Sequence, residues 1–365
     1  MSHIDVDAIA DIARGAAILG AGGGGDPYLG SLLAERVIEQ TGPVELVRLG
    51  DLPDDAVLLP VAIMGAPTVI VEKPPAGGEF AAAVAAVAAS YGATVTHIAC
   101  LEAGGLNSMM PLLCAAETGL PLVDGDGMGR AFPELQMVLA TLDGISTTPM
   151  AMVDDKGNTV VLNTVDNAWA ERLARSATVD MGCGACIALY PMTGREAKTA
   201  LVPGTVSLAR RLGQVVTTAR QDHRDPAGAI VSEMDGRMLF RGKVTDVERR
   251  TQDGFARGEA QLAGINEDSG HTMTLCFQNE HLVATRDGDV VASVPDLICV
   301  LDSDTGEPVT TESLRYGFRV TVAGLPCHPR WRSAEGLELV GPAYFGYDHD
   351  YVPVEDLAGK GMSHV

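Results

Sequence analysis

"TVTHIACLEAGGLNSMMPLLCAAETGLPLVDGDGMGR", residues Thr94–Arg130, holds the pattern on which the fold turns. It opens with a short apolar run, "THIACL", that enters a glycine turn. "SMMPLLCAAETG" then has the composition of a helix, and Gly119 stands where a helix end favours glycine. A second apolar run, "LPLV", enters another glycine turn, "DGDGMGR". Strand, helix and strand in succession predict a mainly parallel α/β sheet, because parallel neighbours need a crossover connection.

The same rhythm extends in both directions. "AVLLPVAIMG" reads as a buried strand, "FAAAVAAVAASYG" as a helix closed by Gly92, and "VELVRL" as a short strand. Within Ile4–Leu19, Ile9, Ile12, Ala13 and Ala16 share one helical face. Asp26 and Pro27 look like the N-cap and first residue of a helix reaching Glu39. Downstream, "FPELQMVLATLDG" is expected to be a helix and "TPMAMVDDKGNTVVLNTV" a hairpin turning around Asp155–Asn158. "NAWAERLARSA" and "TVSLARRLGQVVTTAR" read as helices. From about Gly228, beginning with "GAIVSEMDGRMLFRGKVTDVERRT", short strands alternate with turn residues, as in an all-β barrel or sandwich. The expected division is an α/β domain over 1–170, a helical connecting segment over 171–227, a β-rich domain over 228–345 and a C-terminal tail over 346–365.

Composition narrows the function. The 365 residues are 46% hydrophobic and carry a net charge of −22. That acidity argues against nucleic acid and anionic membranes as partners and says nothing direct about the small-molecule substrate that is expected. The alanine-rich run is too short and too polar-flanked to span a bilayer. The first residues carry acids rather than a basic-then-apolar leader. Seven scattered cysteines do not form a disulfide framework. A cytoplasmic protein is expected, and its alanine- and glycine-rich faces would permit a homo-oligomer.

The loop "GAGGGGDPYLG", Gly20–Gly30, matches a dinucleotide fingerprint literally. A helix precedes it where the fingerprint needs a strand, and Asp26 would repel a pyrophosphate. Two readings remain. The loop is a tight turn with Asp26 as a plain cap, or it is an active-site wall. In the second, Gly23, Gly24 and Gly25 lie against a small ligand and Asp26 faces it.

Ligands of open α/β sheets bind beyond the carboxyl ends of the strands. Glu102 and Asn107 follow one such end; Asp124, Asp126, Arg130 and Glu134 follow another. Clustered carboxylates would raise one another's pKa and supply a general acid or base. They could instead hold a divalent metal through oxygen, with Asp124, Asp126 and His281 as candidate ligands, or serve only as turn and cap residues. The lone Cys183-x-x-Cys186 pair reads as small buried residues, with Cys183 as a competing nucleophile.

Taken together, "GAGGGGDP", "EAGGLN", "LPLVDGDGMGRAFPELQM", "FQNEHLVA", "PDLICVLD" and "GPAYFGYDHDYVP" resemble the S-methyl thiohydantoin desulfurase-like family, in order from Gly20 to Pro353. The resemblance implies an N-terminal α/β sandwich and a C-terminal β-barrel-like domain. It also implies hydrolytic removal of sulfur from C2 of a thiohydantoin ring, leaving a hydantoin. A hydantoinase/oxoprolinase-type partner is a further implication. An accessory role beside such an enzyme, or hydrolysis of a ring C–N bond, are the alternatives. In the desulfurase reading Asp124 or Asp126 activates water or holds a metal, glycine-loop N–H groups stabilise developing charge, and Arg130 binds a substrate carboxylate.

Overall fold

The computed structural model describes residues 2–65, 69, 72–252 and 255–357. The first sheet contains β1 (Ser2–Ile4), β2 (Val44–Arg48), β3 (Val57–Gly65), β4 (His97–Cys100), β5 (Leu122–Asp126), β6 (Met150–Val153), β7 (Thr159–Leu162), β8 (Gly184–Ala188), β9 (Met192–Thr193) and β10 (Val202–Pro203). Its order is β1-β2-β5-β4-β3-β8-β6-β7, with β9 on β3 and β10 on β5. The central run β2-β5-β4-β3 is parallel. Its flanks are antiparallel. The parallel centre is covered on both faces, so β5 is buried throughout and β3 along all but its ends.

"MGCGACIALYPM" supplies β8 and β9, so the segment expected to be a helical connector also builds the first sheet. A short apolar run cannot be told apart as strand or helix by its period. The connector's helix Thr205–Gln221 packs on α1 (Val6–Leu19) at paired glycines. A Cβ on Gly15 would lie 1.7 Å from the Ala209 carbonyl oxygen, and one on Gly213 would lie 2.0 Å from that of Asp11. This close approach fixes the end of α1, from which the glycine loop departs.

The second sheet is antiparallel and curled into a half-barrel. It runs β15 (Asp289–Ser293), β14 (Glu280–Arg286), β13 (Thr272–Gln278), β12 (Phe255–Gly264), β11 (Arg237–Gln252), β17 (Arg319–Leu325), β16 (Leu297–Asp302). Bulges at Val244/Asp246, Met238/Phe240, Cys276/Phe277 and Ala284/Thr285 supply its curvature. Phe240, Val244, Leu262, Leu275, Ile298 and Val322 fill its interior. The final segment is stapled to it. Asp296, fully buried, accepts hydrogen bonds from the Cys327 N–H, Arg332, the Tyr351 hydroxyl and the Val354 N–H.

Two expectations fail locally. "FPELQMVLATLDG" is helical only over Leu139–Leu142. Its backbone bonds outward instead: the Leu135 N–H donates to Glu171 and the Leu139 N–H to the Gly127 carbonyl. The stretch from Gly228, read as the start of the β region, lies instead in a helix, Pro226–Glu233, capped by Asp225. The Asp-Pro start is the one that opens α2 (Pro27–Thr41). No helix of the described residues is long and apolar enough to cross a membrane.

Candidate active site

The glycine loop lies in the seam between the two sheets. Ala21, Gly22, Gly24 and Gly25 have φ of 48°, 92°, 72° and 76°, a backbone that favours glycine. A Cβ on Gly22 would come within 2.6 Å of the His281 ring, and one on Gly23 within 2.0 Å of Glu280 Oε1. On the other side, a Cβ on Gly105 would lie 1.9 Å from the Gly25 carbonyl oxygen. The loop's carbonyls are also engaged. Ala21 accepts from the His281 N–H at 2.9 Å, Gly22 from the Thr311 N–H at 2.9 Å, and Gly25 from the Leu106 N–H at 3.2 Å. The run is therefore a clasp in which backbone meets backbone from both sheets. Asp26 is exposed and caps α2, accepting from the Tyr28 N–H at 2.8 Å; it does not line the pocket described next.

Beside the clasp is a pocket of about 90 Å³ at the carboxyl ends of β3, β4 and β5. Ile63, Met64 and Gly65 come from β3, Leu101 and Glu102 from the turn after β4, and Met128 from the turn after β5. Gly24, Gly25, Leu106 and Asn107 form another side, Phe132–Leu135 and Arg175 close it, and Asn279, Glu280 and Glu312 reach it from the second sheet.

Glu102 is 6% exposed. Burial pushes its carboxyl up to about 7, against a hydrogen bond from Asn107, the charge of Asp126 adding to the rise. Asn107 is itself fixed to β3. Its Oδ1 accepts from the Ile63 N–H at 2.8 Å, while its Nδ2 donates to the Ile63 carbonyl at 3.1 Å and to Glu102 Oε1 at 2.7 Å. Burial also raises Glu280, well above the carboxylate range, and Glu312. Glu134 accepts from Gln136 at 2.5 Å and from the Tyr344 hydroxyl at 2.7 Å. Arg175 is paired with Glu171 and lies over the Phe255 ring at 4.1 Å.

The two aspartates have other employment. Asp124 accepts from the Ser207 N–H at 3.0 Å and the Ser207 hydroxyl at 2.6 Å, holding the first turn of helix Thr205–Gln221. Asp126 is fully buried, and its Oδ2 accepts three N–H bonds, from Ala103 at 2.7 Å, Met128 at 2.9 Å and Gly129 at 2.8 Å. Burial lifts it to about 6 and those bonds restrain the rise. Alternation along β5 does put both on one side, but that side carries the helix, and neither lines the pocket.

Arg130 is also displaced from its expected role. Fully buried, it donates to the carbonyls of Ala131, Pro295 and Asp296, tying the turn after β5 to the second sheet, with its guanidinium 4.6 Å from the Phe132 ring centroid. It does not line the pocket, and its Nη2 has no hydrogen-bond partner among the described residues. His281 is buried against Gly22, and burial, with Arg130 adding, pushes its ring down to about 3. The expected metal set of Asp124, Asp126 and His281 does not assemble; among the described residues no three His, Cys, Asp or Glu side chains are grouped to hold a metal. Cys183 sits at φ 68° in the turn before β8, and neither it nor buried Cys186 is on the pocket wall.

Of the expected site residues, Gly24, Gly25, Glu102 and Asn107 meet at the pocket, and Gly23 backs Glu280. The sequence reading passed over Glu280, Glu312 and Asn279. The signal for the first lay in "FQNEHLVA", where the histidine drew attention from its neighbour.

A crystal structure of a protein from Chromobacterium violaceum matches this fold with a TM-score of 0.77 at 26% identity, over 97% of this chain and 100% of that one. No curated protein matches the chain. The family models described as the S-Me-THD-like N-terminal and C-terminal domains match residues 7–164 and 165–354, so the chain belongs to the S-Me-THD-like family.

Proposed function

We propose that the protein hydrolyses the C2–S bond of a small S-methyl thiohydantoin-like ring, releasing methanethiol and leaving a hydantoin. The observation that carries this reading is Glu102, a buried carboxyl on the wall of a small pocket with its acidity displaced to about 7. A carboxylate of that strength is suited to remove a proton from water near neutral pH. Asn107, clamped to β3, holds it in one orientation. Met64, Met128 and Leu106 give the pocket apolar wall for a thioether and a flat ring.

Incubation of the purified protein with an S-methyl thiohydantoin should release thiol in step with hydantoin, followed colorimetrically and by mass. A ring-opened product would show C–N hydrolysis instead. Thiol release only in the presence of a hydantoinase-type protein would make this chain an accessory partner.

A further inference from the structure

We propose that Glu280 is the general acid of this pocket, protonating ring nitrogen N3 as water adds to C2. The inference rests on the desulfurase reading and adds a second catalytic residue, delivered by the other sheet.

The geometry begins with the β13–β14 turn. Gln278 pairs with Glu280, so the chain reverses through Asn279 alone, at φ 58°. Asparagine tolerates that left-handed backbone. The turn is pinned by three hydrogen bonds to two residues: the Asn279 N–H donates to the Ala256 carbonyl at 2.8 Å, Asn279 Oδ1 accepts from the Ala256 N–H at 2.9 Å, and the Thr311 hydroxyl donates to the Asn279 carbonyl at 2.5 Å. Glu280 thus stands at the hairpin tip on the pocket wall, opposite the sheet that supplies Glu102.

Its carboxyl is 2% exposed as part of the residue, rests against the bare backbone of Gly23, and has no hydrogen-bond partner for Oε2 among the described residues. A buried carboxylate without donors is costly, whereas a neutral carboxyl has a proton to give. The charged groups around it agree. Burial opposes its ionisation most, Glu102 and Glu312 add to that, Arg130 and its own backbone N–H favour ionisation, and burial pushes neighbouring His281 down to about 3. Of the two carboxyls facing one pocket, Glu102 accepts a hydrogen bond from Asn107 and suits the base, while Glu280, with no donor to its Oε2 and raised above the carboxylate range, suits the acid.

The step balances. Glu102 takes a proton from water as its oxygen bonds to C2. The C2=N3 pair moves to N3, which takes the Glu280 proton. The tetrahedral centre then collapses: the new hydroxyl returns its proton to Glu280 as C2=O forms, the C2–S bond breaks, and Glu102 delivers its proton to the departing methanethiolate. Both carboxyls end as they began.

The test is Glu280→Gln, isosteric but without an ionisable proton. We expect kcat to fall by about 10²–10³-fold with KM little changed, and the alkaline fall of the wild-type pH profile to disappear while the acidic limb remains. The infrared band of a neutral carboxyl at pH 8 should be lost in this variant. Gly23→Ala is the second variant. Its backbone accepts a side chain, but the new Cβ would displace the Glu280 carboxyl, so kcat should fall there as well. Glu280→Gln turning over within threefold of wild type, in protein of unchanged melting behaviour, overturns the inference alone. A wild type that releases no thiol overturns the desulfurase reading and this inference with it.

Discussion

Glu102 and Asp126 sit at the carboxyl ends of adjacent parallel strands, one before and one after the helix Gly105–Thr118, and both are buried. Their surroundings differ in one respect. Asp126 receives three backbone N–H bonds on one oxygen and closes the turn that links two strand ends. Glu102 receives one side-chain hydrogen bond, from Asn107, and opens onto the pocket. Burial raises both, Asp126 to about 6 and Glu102 to about 7; the three donors on its Oδ2 make Asp126 a turn-closing acceptor, whereas Glu102 faces a cavity. Burial makes a carboxylate expensive, and N–H groups aimed at it offset part of that cost; under the proposed function, the carboxyl that opens onto the pocket is the one that does chemistry.

The largest expected effect tests the Glu102 side. Glu102→Gln should lower kcat by about 10²–10⁴-fold. The wild type should gain activity as pH rises through about 7, where the base form appears. Stability should move the other way. The folded-state value of about 7 lies above the ordinary 4.5, so between those values the folded protein holds a proton that the unfolded chain has released. Folding stability therefore falls as pH rises across that window. Glu102→Gln should make that fall shallower and be no less stable than wild type at pH 8. A variant that loses activity by unfolding would break the comparison.

A smaller effect is expected from Asp126→Ala, which leaves three buried N–H groups without their acceptor. The loss should be on the order of 3 kcal/mol in denaturant unfolding. Activity per folded molecule should drop less than in Glu102→Gln; a larger drop would move Asp126 to the catalytic side. The smallest effect belongs to Cys183→Ser, which should stay within about twofold of wild type in kcat, since Cys183 is off the pocket wall. A collapse of activity there would restore the cysteine mechanism.

Much of the frame was legible. The run from Thr94 to Arg130 yields a strand, a helix and a strand in the predicted order, though the helix starts at Gly105 and β5 runs on through Asp126, past the turn expected from Asp124; Gly92 and Gly119 close their helices at φ 78° and 68°. The pocket lies at the carboxyl ends of those strands, with Glu102 and Asn107 upon it. Legibility failed where a residue's partner is remote in sequence. Asp124 found Ser207, Arg130 found Pro295 and Asp296, and Phe132–Leu135 met Glu171 and became pocket wall rather than helix. Local pattern carries no information about those partners.

The run Gly20–Gly25 shows where the division falls. Composition alone established a soft-turned, close-approach backbone, because six residues with almost no side chain can serve little else. Which surfaces approach was decided by the tertiary structure: Gly104–Gly105 on one side, and Glu280 with His281 on the other. Helix and strand periods are written in neighbouring residues and can be read from them. The choice between a cap, a clasp and a catalytic carboxyl depends on which distant donors arrive, and only packing the two sheets together determines that.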